Sequence, residues 1–528
     1  MRHWWEDAVF YQIYPRSFQD SNGDGIGDLA GIASRLDYLF GLGVDALWIS
    51  PFFKSPMKDF GYDVSDYRDV DPMFGTLDDL RALIAGAKAK GIRIVLDLVA
   101  NHSSEEHPWF VEARSSKSNP KHGWYLWVPD GPRPPNNWKA IFELGTAWHR
   151  NPATDERYLG TFSRHQPEFD WRNPEVRVAF YDVMRYWFDI GVDGFRLDVA
   201  TGYFKDVQLR SNPFSLKANP DFFQRHIYDR NQPEFHEVFK EMRKVADAAG
   251  ERVLIGETHG DDPAVAASSH GESRDELHMA FNFDFLHQSW SARAFRESAE
   301  RWYALLPAGA WPNFTLSNHD QPRHAFRYRA GELTEARARV AATMLLTIRG
   351  TPFLYYGEEI GMTCRRIPRR ALRDPMGIST WPFGFLGRDP ERTPMQWDGS
   401  EGAGFTRGTP WLPLNEDYVS RNVAAQESDP RSLLSWYRSL IALRRSEEAL
   451  RSGDIRFLDL DRDVLAYERH AGGEVVVVLL NFASRTRRIR LEGPSRVLLG
   501  SARPADAVLD SGELRLEPCE AVVAKATT

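Results

Sequence analysis

Arg196 and Asp198 stand two residues apart at the end of a short apolar segment, Gly191-Val192-Asp193-Gly194-Phe195-Arg196-Leu197-Asp198-Val199. On a β-strand, side chains two apart share a face, so guanidinium and carboxylate project together. An arginine partner favours the ionised carboxylate, and an ionised, fixed carboxylate can attack an electrophilic carbon such as that of a sugar acetal. Taken alone, the stretch also fits a structural ion pair at a strand end. Three more apolar segments end in the same manner: one runs into Asn101 and His102, one ends Gly256-Glu257, and one ends Asn318-His319-Asp320. Three carboxylates and two histidines delivered to one cleft could supply a nucleophile, a proton donor and a stabiliser of positive charge.

Positioning such groups requires several strands that end on one side. Short apolar runs predict eight: 9–14, 46–50, 93–99, 194–198, 252–257, 279–283, 313–317 and 352–356. Helical periodicity lies between them at 29–42, 77–90, 175–190, 234–249 and 334–348. Eight strand-helix units close into an α/β fold, the (β/α)8 TIM barrel, whose chemistry sits at the strands' C-terminal ends. Residues 101–170, rich in Pro, Gly, Asn, His and Trp, predict a loop-rich subdomain inserted after strand three. A second irregular stretch, 363–415, follows strand eight, and after a helix near 432–450 short β-type runs predict a C-terminal antiparallel β domain. The expected division is a barrel of 1–100 and 171–455, the insertion at 101–170 and a β-sandwich at 456–528.

A chain of 528 residues, 42% hydrophobic and 27% charged, is long enough for two or three domains. Its net charge of −8, without a long basic block, argues against nucleic acid and acidic membranes as partners and leaves a neutral substrate unopposed. The opening Met-Arg-His-Trp-Trp-Glu-Asp puts acids where a signal peptide needs an apolar core, and no run approaches membrane-spanning length, so a cytoplasmic protein is expected. Cys364 and Cys519 are the two cysteines, too few for a disulfide framework, and are expected as free thiols.

The segments Asp97-Leu98-Val99-Ala100-Asn101-His102, Gly194-Phe195-Arg196-Leu197-Asp198, Gly256-Glu257 and Ser317-Asn318-His319-Asp320 resemble, in order, the four signature regions of the α-amylase family of glycoside hydrolases. Ser50-Pro51-Phe52, Gly61-Tyr62-Asp63-Val64-Ser65-Asp66-Tyr67, Gln166-Pro167-Glu168-Phe169-Asp170-Trp171 and Arg392-Thr393-Pro394-Met395-Gln396-Trp397-Asp398 resemble its α-glucosidase and oligo-1,6-glucosidase subgroup. The resemblance implies Asp198 as nucleophile, Glu257 as acid and base with its proton retained by burial and nearby anions, and Asp320 as stabiliser of the distorted sugar. It implies His102 and His319 as ligands of sugar hydroxyls beside Arg196. It also implies an Asp63–Arg392 pair closing the pocket behind the first glucose, with Phe142, Phe162 and Gln166 lining it. A closed pocket admits one terminal residue, hence exo action on a short oligosaccharide or aryl α-glucoside.

After strand one, Asp20-Ser21-Asn22-Gly23-Asp24-Gly25-Ile26-Gly27-Asp28 alternates oxygen-bearing side chains with small residues, as a Ca²⁺ loop does. The twelfth position is Gly31 and not Glu, so this is no EF-hand. The subgroup's calcium loop implies Asp20, Asn22, Asp24, the Ile26 carbonyl and Asp28 as ligands of a structural Ca²⁺, with Mg²⁺ as the other cation considered and a metal-free turn capping the next helix as the alternative. No organic cofactor is expected, and the molecule is expected as a monomer or homodimer. Val199, beside the nucleophile, resembles α-1,6-acting members, whereas 201–233 resembles maltose-type α-glucosidases; α-1,4 is placed slightly ahead. Two rivals remain: a transglycosylase or isomerase such as trehalose synthase or sucrose isomerase, and a non-catalytic barrel acting as a binding partner.

Overall fold

Eight short strands form one parallel sheet: β1 (Phe10–Ile13), β2 (Ala46–Ile49), β3 (Arg93–Leu98), β4 (Gly194–Leu197), β5 (Val253–Gly256), β6 (Met279–Ala280), β7 (Asn313–Thr315) and β8 (Thr351–Tyr355). The computed structural model describes residues 2–143, 145–216, 223–258, 262–382 and 387–527, so 217–222 of the segment compared with maltose-type enzymes lies outside the described residues. Strand order is β6-β5-β4-β3-β2-β1-β8-β7, with parallel pairing throughout. Helices such as α1 (Leu77–Ala89), α2 (Pro174–Ile190) and α3 (Phe235–Ala248) carry the crossovers, which is the (β/α)8 arrangement.

Strand residues alternate between two cores. Phe10, Trp48, Val95, Ile255, Met279 and Phe353 fill an inner cluster with Trp5 and Trp311. Tyr11, Leu47, Ile94, Leu96 and Leu254 belong instead to the cluster shared with the helices. Two residues beyond the inner positions, the same rows reach Gln12, Ser50, Asp97 and Glu257, while β4 contributes Arg196 and then Asp198. The barrel interior thus turns polar at the C-terminal ends of its strands, which is where the site is built.

Two expected elements differ. The helix expected over 29–42 is two, Leu29–Ser34 and Leu36–Leu42. Arg35 between them leaves helical geometry (ψ 8°) and bonds through Nε to Gln19 Oε1 at 2.7 Å, its guanidinium 4.1 Å above the Trp397 ring. The strand expected over 279–283 stops at Ala280, because the Asn282 side chain accepts from Phe285 N and starts the short helix Phe283–Leu286.

After β3 the chain makes a three-stranded antiparallel sheet of Trp127–Pro129, Trp148–Asn151 and Glu156–Leu159 before returning in α2. After the helix Leu433–Ser446, residues from Asp454 onward form a six-stranded and a two-stranded sheet, with antiparallel pairing. Ile489, Leu491 and Leu516 of the small sheet share an apolar cluster with Val477, Leu479 and Val522 of the large one. Cys364 and Cys519 are free thiols. Among the described residues, no helix is long and apolar enough to cross a membrane.

Candidate active site

Arg196 is the hub of the polar end of the barrel. Its Nη1 donates to Asp97 Oδ1 and to Asp198 Oδ1, each at 2.7 Å, and its Nη2 lies 2.6 Å from Glu257 Oε2. All four side chains are buried. Strand register explains the convergence, since Arg196 pairs with Asp97 on β3 and with Ile255 on β5, and Glu257 is two residues past Ile255. Val199, directly after Asp198, is held at φ 44°, a left-handed conformation costly for a β-branched residue, and its N–H donates to Glu257 Oε2 at 3.0 Å.

Sequence reasoning gave Asp198 a private guanidinium. The structure instead divides Arg196 among three carboxyls, and the Asp198 proton affinity is raised: burial pushes it up, Glu257 and Asp97 push the same way, and Arg196 pulls back. Burial likewise lifts Asp97 to about 6 against the pull of Arg196. Three carboxyls around one cation in a dry site favour retention of a proton, which belongs to the cluster rather than to one member.

A second cluster faces this one. Asp320 Oδ1 accepts from Arg392 Nη2 at 2.7 Å and from Arg388 Nη1 at 3.3 Å, and Asp320 Oδ2 lies 3.2 Å from His319 Nε2. Burial opposes ionisation of Asp320, but His319, Arg388, Arg392 and Arg196 outweigh it and pull its carboxyl far below the usual range. His319 is fixed by Gln12 Nε2, 2.8 Å from Nδ1, and by the Tyr62 hydroxyl; burial lowers its proton affinity to about 3. The Tyr62 hydroxyl also donates to Asp97 Oδ2 at 3.1 Å, linking the two clusters.

The insertion closes over the barrel here. His102 Nε2 contacts the Tyr62 carbonyl at 2.9 Å and Gln166 Nε2 at 3.2 Å, and burial lowers it to about 4. The His102 ring lies 5.1 Å from Phe162, Phe162 lies 5.8 Å from Phe142, and Phe142 sits 4.6 Å beneath the Arg388 guanidinium. Gln166 Nε2 donates to Asp59 Oδ2 at 3.0 Å.

One expectation needs correction. Asp63 and Arg392 form no ion pair; Asp63 is fully buried and accepts from Ser55 Oγ, Lys58 N and Asp59 N, each at 2.9 Å. It is spent on its own turn, and burial raises its carboxyl to about 6. The pair that spans the segments is Asp59–Arg388, with Oδ1 2.6 Å from Nη2, while Arg392 serves Asp320 and the His319 carbonyl. Both missed residues lie four positions before those chosen, in segments holding a second side chain of the same type, and spacing does not separate them.

The acidic loop after β1 is satisfied internally. Asp20 Oδ1 accepts from Asn22 N at 3.0 Å and Gly23 N at 2.7 Å, and Asp20 Oδ2 accepts from Gly25 N at 2.9 Å. Asn22 Oδ1 accepts from Asp24 N and Asp24 Oδ1 from Ile26 N, both at 2.8 Å. Asp28 caps the next helix through Gly31 N at 2.6 Å and accepts from Ser21 N at 2.9 Å. The donors are all oxygen, as a hard cation requires, but among the described residues no three Asp, Glu, His or Cys side chains converge as a metal centre.

Comparison with known proteins agrees with this geometry. Residues 12–453 match the model of the α-amylase catalytic domain. The chain is 44% identical to a probable α-glucosidase of Rhizobium meliloti (strain 1021) over 91% of this chain and 90% of that one. It is 40% identical to an oligo-1,6-glucosidase of Parageobacillus thermoglucosidasius over 99% of each. Among solved structures it resembles the α-glucosyl transfer enzyme XgtA, with a TM-score of 0.95 at 40% identity over 100% of each chain. It also resembles the trehalulose synthase MutB of Pseudomonas mesoacidophila MX-45, with a TM-score of 0.93 at 36% identity over 100% of each chain. The chain belongs to the α-amylase family of glycoside hydrolases.

Proposed function

We propose that the protein is a retaining, exo-acting α-glucosidase that releases terminal α-D-glucose from short oligosaccharides or aryl α-glucosides. The observation that carries this reading is the sharing of one buried guanidinium, Arg196, by Asp198 and Glu257. Two carboxyls on one planar fork suit the roughly 5 to 5.5 Å separation that retention needs, without room for a water between them. Asp198 attacks the anomeric carbon as Glu257 gives its proton to the leaving oxygen, and the glucosyl ester on Asp198 has inverted, β configuration. Glu257, now a carboxylate, takes a proton from water; that water attacks the anomeric carbon, expels Asp198 and restores the α configuration.

Asp320, kept ionised by two arginines, stabilises the positive charge that develops on the ring. Neutral His102 and His319 bind hydroxyls, and Asp59 with Arg388, rather than Asp63 with Arg392, closes the pocket behind a terminal glucose. Phe142, Phe162 and Gln166 form the wall that the insertion contributes. We place α-1,4 linkages slightly ahead of α-1,6, a cytoplasmic location, and a monomer or homodimer. Calcium, with Mg²⁺ as the other cation considered, is proposed for Asp20, Asn22, Asp24, the Ile26 carbonyl and Asp28 on the donor chemistry alone, as a brace for the loop.

The likeness to an enzyme named for α-glucosyl transfer and to a trehalulose synthase favours one further reading, in which a sugar hydroxyl and not water takes the glucosyl group. Product analysis on maltose, isomaltose, maltotriose, sucrose and trehalose tests both. Free glucose as the main initial product from maltose and maltotriose is expected. Isomeric disaccharides or longer oligosaccharides as main products would remove hydrolysis as the principal activity.

A further inference from the structure

Arg388 is held harder than a ligand for a sugar hydroxyl requires. Its Nε and Nη2 lie 2.9 and 2.7 Å from Asp374 Oδ1, while the same Nη2 reaches Asp59 and the face of the guanidinium covers Phe142. Asp374 is fully buried, and its second oxygen accepts from Arg388 N at 3.0 Å and Gly377 N at 3.1 Å. The grip is returned: Asp389 Oδ2 accepts from Arg373 N at 2.7 Å and Asp374 N at 3.0 Å. The two chain segments also meet where only glycines fit, for a Cβ on Gly387 would stand 2.7 Å from Gly377 Cα. Residues 373–377 and 387–389 are therefore sewn into one neck, and Arg388 leaves that neck toward the site.

Arginine has a long, rotamer-rich side chain, and a guanidinium meant to close a pocket needs an anchor that fixes its plane. Asp59 and Asp320 each supply one oxygen at the tip, and neither reaches Nε. Asp374 fixes Nε, the tip and the backbone N–H together, so direction as well as position is set. We infer that Asp374 is a positioning residue that determines specificity: by locking Arg388 across the far end of the first-glucose pocket, it restricts the enzyme to unsubstituted terminal glucose. This rests on the reading that Asp59 and Arg388 close the pocket. Release of the anchor should let Arg388 swing aside, so that a glucose carrying a further sugar on its outer face can occupy the site.

The test uses p-nitrophenyl α-maltoside, from which an exo enzyme first releases glucose and an opened site releases maltose with p-nitrophenol. Asp374→Ala is expected to raise the initial maltose-to-glucose ratio at least tenfold, and to lower kcat/KM on p-nitrophenyl α-glucoside about tenfold through KM. A purely structural role would lower both activities together and leave the ratio where it was, and that result overturns the inference. Should Asp374→Ala not fold, Gly387→Ala pries open the same neck without removing a charge, and an unchanged ratio there overturns it equally. If the wild-type enzyme already releases maltose first, the closed-pocket reading fails and takes this inference with it. If the wild type releases glucose and the variants do likewise, only the role of Asp374 fails.

Discussion

Asp59 and Asp63 are four residues apart, share a charge and are both buried, yet they do different work. Asp63 spends its oxygens on Ser55 Oγ and on the N–H groups of Lys58 and Asp59, so it shapes the turn. Asp59, presented by that turn, faces Arg388 and Gln166. Asp59→Ala removes one charge-assisted contact at the pocket's end, worth about 1.5–3 kcal/mol, or roughly 10- to 150-fold in kcat/KM, with the melting temperature held. Asp63→Ala strands the buried Asp59 N–H and Ser55 hydroxyl and the part-buried Lys58 N–H, at about 1–3 kcal/mol for a buried donor, and should lower the melting temperature first. Kinetics on p-nitrophenyl α-glucoside alongside thermal melts separate the two. Loss of activity without loss of stability at Asp63, together with an unaffected Asp59 variant, would contradict the assignment.

At the scale of elements, the acidic loop after β1 is tied largely by its own contacts. Its carboxylates already cap N–H groups: each Asp20 oxygen accepts two bonds, whereas Asp24 Oδ1 and Asp28 Oδ1 accept one apiece and keep a lone pair that a cation could share. If the loop holds Ca²⁺ in the folded state alone, chelation lowers the melting temperature, because the binding free energy is lost from folding. That drop is expected; an unchanged melt with metal loss verified by elemental analysis would leave a self-capped turn. The same loop shows how far sequence reaches. Its alternation of oxygen-bearing and small residues announces a tight turn, and Asp28 as helix cap was an open alternative that the structure contains. The barrel strands were legible because short apolar runs ended in polar residues, and period two then places Arg196 with Asp198. Asp59 and Arg388 were not legible, because they sit in irregular stretches where no periodicity says which of two like side chains turns inward. Nor could sequence foretell that Arg196 serves Asp97 and Glu257 as well, since strand neighbours are set by the closing of the barrel.

Across the whole molecule, buried titratable groups pull stability against pH in both directions. Burial depresses His102 and His270 to about 4 and His107 and His319 to about 3, below the unfolded value near 6.5. A depressed histidine contributes stability that is complete above pH 6.5 and is lost as pH falls, because the unfolded chain binds the proton first. Raised carboxyls act in the opposite sense: Asp63 and Asp97, at about 6, between roughly pH 4 and 6, and Asp59, Asp198, Glu359, Asp389 and Glu391, pushed up by burial, in the same direction. The two sets oppose each other, so the histidine share is read by difference: His107→Asn, which removes one depressed imidazole, should raise the melting temperature at pH 5 relative to pH 7 compared with the wild type. An unchanged difference between pH 5 and pH 7 in that variant would contradict a depressed His107. The chemistry itself is tested most directly by trapping. Incubation with 5-fluoro-α-D-glucosyl fluoride, followed by proteolysis and mass spectrometry, should find one 5-fluoroglucosyl group, esterified to Asp198. An adduct on another carboxylate, or none while the enzyme turns over p-nitrophenyl α-glucoside normally in the presence of the reagent, would contradict a glucosyl-enzyme at Asp198.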